Sequence, residues 1–262
     1  MYPAHYANLF PPFPRNNNVF VAMSFAREFE SRWNNVIKPA IASVQFDGTP
    51  LEAHRVDVRV VADSILTEIL EGITNARLVL ADLTTLHILN DVACRNANVM
   101  YEVGIAQALR LPEEVLLFRS DNDRLLFDLM NVRVNPYDPD KDVDAAKKKI
   151  SDCISDALKE IDQRKSAFVR RAADALDGSC FDVLLLSQKD GTFTQPGFKH
   201  IFREMRHVAA IGRLLDLGIL RFDGFDINKK VEYPEQPIEY GYQITPFGSA
   251  VFDLIVERSR RK

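Results

Sequence analysis

Leu78-Val79-Leu80-Ala81-Asp82 is the stretch from which the fold of this chain is best read. In an extended backbone four consecutive apolar residues alternate to opposite faces, so such a run is stable only where both faces are covered. Asp82 marks the end of that strand. Two other runs, Val19-Phe20-Val21-Ala22-Met23 and Val115-Leu116-Leu117-Phe118, have the same character. Helical stretches separate them. One passes through Phe29, Trp33, Ile37 and Ala40, and residues 51–61 then supply one or two extended segments. Asp63 is a plausible N-cap for Ser64–Asn75, where Ile65, Leu66, Ile69 and Ile73 share a face. A polar loop from Thr84 to Ala97 leads to a third helix, from about Val99 to Arg110. Doubly apolar strands alternating with amphipathic helices predict an α/β fold with a parallel sheet covered on both sides. Such sheets bind ligands at the carboxyl ends of their strands, which makes Ser24, Phe25, Asp82 and the 119–128 loop expected neighbours.

At 262 residues the chain is long enough for two domains, and its 47% apolar and 27% charged residues are those of a folded protein. No apolar stretch approaches the ~18–20 residues of a membrane span. The first residues, MYPAHYANLFPPFPRNNN, lack a charged segment followed by an apolar one, so no signal peptide is expected. Three cysteines (Cys94, Cys153, Cys180) fit neither a disulfide framework nor a CxxC knuckle, and a cytoplasmic location is expected. The net charge of −4 is unevenly spread: residues 165–262 carry 15 Lys+Arg against 13 Asp+Glu, and residues 1–164 carry 18 against 24. An acidic front and a mildly basic back suggest two jobs. The expected division is an N-terminal arm (1–17), an α/β domain (18–142), a connecting helix (143–164) and a second domain (165–262).

Several chemistries are excluded by missing motifs. No GxGxxG follows the first strand, GxxxxGK[ST] is absent, and so is GxSxG. Five histidines show no HxH or HExxH spacing, so no metal and no other cofactor is expected. What remains is a set of carboxylates. Asp82 ends a central strand, and Glu102 lies in Asn96-Ala97-Asn98-Val99-Met100-Tyr101-Glu102-Val103-Gly104, near the start of the next helix, beside Ala106 and Leu109. The helix macrodipole and free amides there are expected to keep Glu102 ionised, as a nucleophile or a stabiliser of an oxocarbenium ion must be. Gly104 weakens a helix by roughly 1 kcal/mol relative to alanine, so close packing is expected against it. Asp57, Asp63 and Asp128 are further carboxylates that adjacent strand ends and loops would bring to this site. The plainer alternative has Asp82 capping a turn and Glu102 serving as a favourable first-turn acid.

In order along the chain, Asn18-Val-Phe-Val-Ala-Met-Ser-Phe25, His54-Arg-Val-Asp57, Leu80-Ala-Asp-Leu-Thr84, Asn98-Val-Met-Tyr-Glu-Val-Gly104 and Phe127-Asp-Leu129 resemble the nucleoside 2-deoxyribosyltransferase-like group, related to TIR domains. The resemblance covers about residues 18–138 and implies a flavodoxin-like fold. It implies that Glu102 attacks C1′ of the sugar and that Asp82 assists at the sugar or base. It further implies that Met23, Ser24 and Phe25 line the pocket; Asp57, Asp63, Asn98, Tyr101 and Asp128 are the other residues expected to bind substrate. Arg55 would suit a phosphate, favouring a nucleotide over a nucleoside. Leu86–Arg95 looks inserted relative to that group, and hydrolysis of the glycosyl-enzyme is a simpler outcome than transfer to a second base.

The back half reads as helices, a ribbon and a helix. Within Phe198–Leu215, Lys199, Arg203, Arg206 and Arg213 fall in one stripe, with Ile201, Met205, Val208, Gly212 and Leu215 opposite as the core face. Gly218 stops that helix. Ile219–Phe222 and Tyr240–Ile244 form a two-stranded ribbon around a loop bearing Lys229 and Lys230, and Thr245-Pro246 opens a last helix, Phe247–Arg258. Tyr242-Gln-Ile-Thr-Pro-Phe-Gly248 resembles the strand-to-helix exit of winged-helix domains. The basic stripe suits a nucleic-acid backbone, a protein partner, a second copy of the chain or plain solvent.

Together these readings lead to the expectation of a metal-free N-glycosidase acting on a nucleotide or NAD, with a C-terminal winged helix that recruits nucleic acid or a partner. By architecture this is similar to retron effector toxins, an analogy at the level of fold. The alternatives are a non-catalytic nucleotide-sensing module and a ligand-responsive DNA-binding regulator.

Overall fold

Residues 8–56, 65–90, 92–125, 132–186, 192–196, 201–225 and 239–260 are described by a computed structural model. The chain divides into two units, one of Pro14–Asp162 and one that joins Met1–Phe13 to Gln163–Lys262.

In the first unit, β1 (Asn18–Ala22), β2 (Glu52–His54), β3 (Leu78–Asp82), β4 (Val115–Arg119) and β5 (Val134–Pro136) form an all-parallel sheet in the order β2-β1-β3-β4-β5. The register runs from Val19↔Leu78 to Ala22↔Ala81 and from Val79↔Val115 to Asp82↔Phe118. Alternation then splits each strand between two cores. Val19, Val21, Leu78 and Leu80 join a core completed by α1 (residues 27–42) and the first half of α4 (Val143–Ala175). Phe20, Ala22, Val79 and Ala81 join a second core under α2 (Ile65–Asn75) and α3 (Ala97–Leu109). A strand flanked by two such cores has no polar face, which is why the strands carry no alternation. Within α2, a Cβ on Gly72 would come within 2.6 Å of the Phe20 ring, so glycine lets α2 sit this close to β1.

The amino edge of the sheet is fastened by Arg110. Its guanidinium donates to the carbonyls of Ile73, Thr74, Ala76 and Arg77 at 2.7–3.2 Å, satisfying oxygens that the end of α2 leaves free. Arg110 Nε also donates to Glu114 at 3.0 Å, and Glu114 pairs in turn with Arg15. Burial, then the charges of Arg15 and Arg77, lower the Arg110 pKa to about 9, which leaves it cationic at neutral pH.

The structure corrects several expectations. Leu66 does not share the buried face of α2 but is exposed, and Leu109 is exposed rather than bordering a buried stripe, which in α3 is Val99, Val103 and Ala106. Nothing packs on Gly104, where an added Cβ would meet open space. The 84–97 segment holds an antiparallel hairpin, His87–Leu89 with Val92–Cys94, whose Ile88, Leu89 and Val92 are exposed. Its base is built in: Arg95 donates to the Leu83 carbonyl and forms a bidentate pair with Asp121 at 3.0 and 3.1 Å. The connecting helix does not stop near 164 but continues unbroken to Ala175.

The second unit contains the end of α4, α5 (Gly178–Leu186), β6 (Thr192–Pro196), α6 (Ile201–Asp216), β7 (Leu220–Phe225), β8 (Glu239–Ile244) and α7 (Pro246–Arg260). The expected ribbon has a third strand, giving an antiparallel sheet in the order β6-β8-β7. Gly218, at φ 69°, ends α6, and Thr245 caps α7 by accepting from the Gly248 amide at 3.0 Å. Among the described side chains of α6, Ala210, Ile211 and Leu214 are buried while Val208 and Gly212 are exposed, so the core stripe there is rotated from the expected one; the side chains of Ile201 and Met205 lie outside the described residues. The first residues are not merely an arm: Leu9 is buried and the Phe10 ring lies 5.0 Å from that of Phe247. An apolar pair among prolines was enough to dock there. Among the described residues no helix is long and apolar enough to cross a membrane.

Candidate active site

At the carboxyl edge of the parallel sheet the chain leaves β1 through Met23, Ser24 and Phe25. Met23 is buried in the core shared with α1 and α4 rather than lining a pocket. Ser24 is also buried, and its Oγ accepts from the Ala26 amide at 3.1 Å, which turns the backbone toward α1. Phe25 is partly exposed and carries Arg55, which leaves β2: the guanidinium carbon lies 4.4 Å from the centre of the Phe25 ring and 4.8 Å from that of Trp33. Arg55 Nη2 bonds Glu30 at 3.0 Å, and its Nη1 is buried without a hydrogen-bond partner among the described residues. Stacking between aromatic rings holds the cation in place while leaving donor capacity unused.

Asp82 is the centre of the edge. Its side chain is 0% exposed. Oδ1 accepts from the Thr84 amide at 3.0 Å and from the Thr84 hydroxyl, which forms the turn that leaves β3. Oδ2 accepts from the Tyr137 hydroxyl at 2.7 Å and lies 3.7 Å from Arg32 Nη1. Burial raises the Asp82 pKa, against the opposing pull of Thr84, Tyr137 and Arg32. Burial alone would disfavour the Arg32 charge, but Asp82, Tyr137 and Asp140 outweigh it and raise the Arg32 pKa. Arg32 Nε and Nη1 are buried without hydrogen-bond partners among the described residues. Asp82 therefore positions its neighbours and offers no open oxygen to a substrate.

Glu102 sits in the second turn of α3. Asn96 caps that helix, its Oδ1 accepting from the amides of Asn98 at 2.9 Å and Val99 at 3.3 Å. Because those amides are taken and lie a turn away, the macrodipole does not keep Glu102 acidic. Burial instead raises its pKa to about 7, a reversal of the expected ionised state. Among the described residues it has neither a hydrogen bond nor an ion pair. Asn98 and Tyr101 are exposed on the same helix.

The structure thus brings Ser24, Phe25 and Arg55 together at one end of the edge, and Asp82 with Thr84, Arg32 and Tyr137 at its centre. Asp57, Asp63 and Asp128 lie outside the described residues, as do Lys199, Lys229 and Lys230. Arg203 and Arg206 fall in α6, but their side chains are also outside the description. Arg213 is exposed and pairs with Asp177 at 3.5 Å. Sequence reasoning missed Tyr137 and Arg32. The rule that sites gather at strand ends would have found Tyr137, just past β5, had Val134–Pro136 been read as a strand. No comparable signal marks Arg32 in an amphipathic helix. Among the described residues no three His, Cys, Asp or Glu side chains gather as a metal site. No protein-family model matches the chain, and no curated protein matches it significantly.

Proposed function

We propose that the first unit is a nucleotide N-glycosidase in which Glu102 is the nucleophile. The carboxylate attacks the anomeric carbon, the bond to the base breaks with its electron pair leaving on the base nitrogen, and the base takes a proton from solvent. Water then hydrolyses the glycosyl ester and regenerates Glu102. The observation that carries this reading is a half-buried carboxylate without a compensating cation or hydrogen bond among the described residues. Its desolvation is maintained by the surrounding fold, the kind of perturbation that accompanies catalytic acids and nucleophiles. The sheet order β2-β1-β3-β4-β5 is consistent with a flavodoxin-like sheet, whose ligands bind at this carboxyl edge. Arg55, held beside Phe25 and Trp33 where the chain leaves β2, supplies a cation for phosphate oxygens.

The second unit fits a winged-helix module by its helix-sheet order and its β6-β8-β7 arrangement, for recruiting nucleic acid or a protein partner. Joined to a glycosidase, it is analogous to antiviral retron effectors that deplete nucleotides or NAD in the cytoplasm. A second reading, nucleotide sensing without cleavage, is favoured by one observation: Asp82 is enclosed and saturated, which leaves Glu102 without a paired acid. Incubating the full chain with a panel of nucleotides and NAD, then separating free base by chromatography, tests both. Base release that Glu102→Gln abolishes while ligand binding persists supports the enzyme. Binding without base release from any of them supports the sensor.

A further inference from the structure

Wholly within the second unit lies a cavity of about 640 Å³, a size that suits a small organic ligand. It sits where α6 ends and α7 begins. Its floor is apolar: Leu220 and Phe247 are buried, and Leu215 and Ile244 pack partly buried against the same core. The N-terminal segment supplies a wall. Phe10 is held there by the Phe247 ring at 5.0 Å and by Lys165, whose Nζ lies 5.7 Å from the centre of the Phe10 ring. A wall anchored from two helices is part of the fold, so the cavity exists before any ligand arrives.

The polar groups of the lining gather at one place. Arg221 on β7 and Gln243 on β8 are direct cross-strand partners. Arg221 donates through Nε and Nη2 to the side-chain oxygen of Gln243, from Nε at 2.7 Å. An oxygen that accepts from a guanidinium fixes the orientation of that amide, so Gln243 Nε2 carries its two N–H groups beside the cation. Neither that nitrogen nor Arg221 Nη1 has a partner among the described residues, and no carboxylate there pairs with Arg221. None of the described lining residues is Asp or Glu. The Thr245 hydroxyl, also in the lining, is engaged within the fold: it donates to the Gly218 carbonyl at 2.7 Å and accepts from the Gly248 amide at 3.0 Å. What remains is an apolar hollow with one uncompensated cation and one amide donor at its exposed rim.

We propose that this cavity binds an amphiphilic carboxylate, an alkyl or aryl acid of about ten carbons. Its apolar body lies over Leu220 and Phe247, and its carboxylate accepts from Arg221 and Gln243. The same features select against other classes. A cationic ligand meets Arg221 and finds no acid to receive it. A nucleobase presents several polar edges, which the apolar floor would leave unpaired. A nucleic-acid backbone needs several cations in succession, and the described lining has one.

Calorimetric titration of the full chain with sodium decanoate below its micelle concentration is the test, with decyltrimethylammonium as a cation of similar length. Decanoate should bind one to one with a dissociation constant below about 1 mM, and the cation at least about 10-fold more weakly. Arg221→Gln should erase that preference by weakening decanoate at least about 10-fold. Ser249→Trp fills the cavity from its exposed lip and should abolish binding. Both side chains are exposed, so the far-ultraviolet dichroism of each variant should match the wild type. Should Ser249→Trp unfold, Pro12→Trp fills the same space from the N-terminal segment. No binding of decanoate up to about 1 mM overturns the proposal. So does equal affinity for the cation, an Arg221→Gln variant that binds decanoate as the wild type does, or binding that a folded tryptophan variant leaves intact.

Discussion

Glu102→Gln removes a charge and changes almost nothing in shape, at the residue on which the chemistry depends. Burial lifts its pKa from 4.5 to about 7. If the ionised form is the nucleophile, kcat/KM follows the deprotonated fraction and rises about 10-fold between pH 6 and pH 8. The glutamine variant is inactive throughout. The same shift makes a prediction for stability that does not depend on activity. Between about 4.5 and 7 the folded chain holds a proton that the unfolded chain has released, so stability falls as pH rises through that window and is level with respect to this group on either side. Glutamine is neutral in both states and escapes the loss. Discounted for the part of the side chain that water still reaches, the effect is on the order of 1–2 kcal/mol. Urea unfolding should then show Glu102→Gln equal to the wild type at pH 4 and more stable by that amount at pH 8. The same offset at both pH values would refute the placement of Glu102 in a desolvated site, and base release by the variant would refute its role as nucleophile.

Replacing Arg110 with Met removes one of the partners of Glu114, which keeps Arg15 and the Leu111 amide, and strands the carbonyls at the end of α2. It should cost about 3–5 kcal/mol in urea unfolding. Two glycine substitutions should move melting temperatures in opposite directions. Gly248→Ala drives a Cβ to 2.1 Å from the Ile219 carbonyl oxygen and should destabilise the second unit by about 3 kcal/mol. Gly104→Ala meets open space and should stabilise by about 0.5–1 kcal/mol. Arg55→Ala should raise KM for 5′-phosphorylated substrates roughly 10-fold while leaving the corresponding nucleosides unaffected. An equal loss for both would show that Arg55 only packs against Phe25 and Trp33.

Arg55 came from the family resemblance, whereas the carboxyl-edge rule located Ser24, Phe25 and Asp82 because strand ends are visible as the points where apolar runs stop. It did not reveal what each side chain does there. Asp82 was legible as a carboxylate at a strand end, but the hydroxyl of Tyr137 reaches it from 55 residues away, a relation that no local pattern encodes. The ionisation of Glu102 was misjudged for a related reason: position along a helix is local, whereas desolvation depends on what the rest of the chain puts around it. The α6 stripe was misplaced because mixed apolar and basic residues fit two helical faces almost equally well, and only the neighbouring elements choose between them.

Local chemistry by itself determined the alternation of strands and helices, the parallel sheet and the caps at Thr245 and Gly218. Those follow from side-chain period, backbone freedom and short-range hydrogen bonds. Tertiary structure alone decided that Asp82 is sealed, that Arg110 serves the end of α2 and that Glu102 is drawn toward neutrality. Solvation and charge coupling act through space, between residues whose separation along the chain says nothing about their distance in the fold.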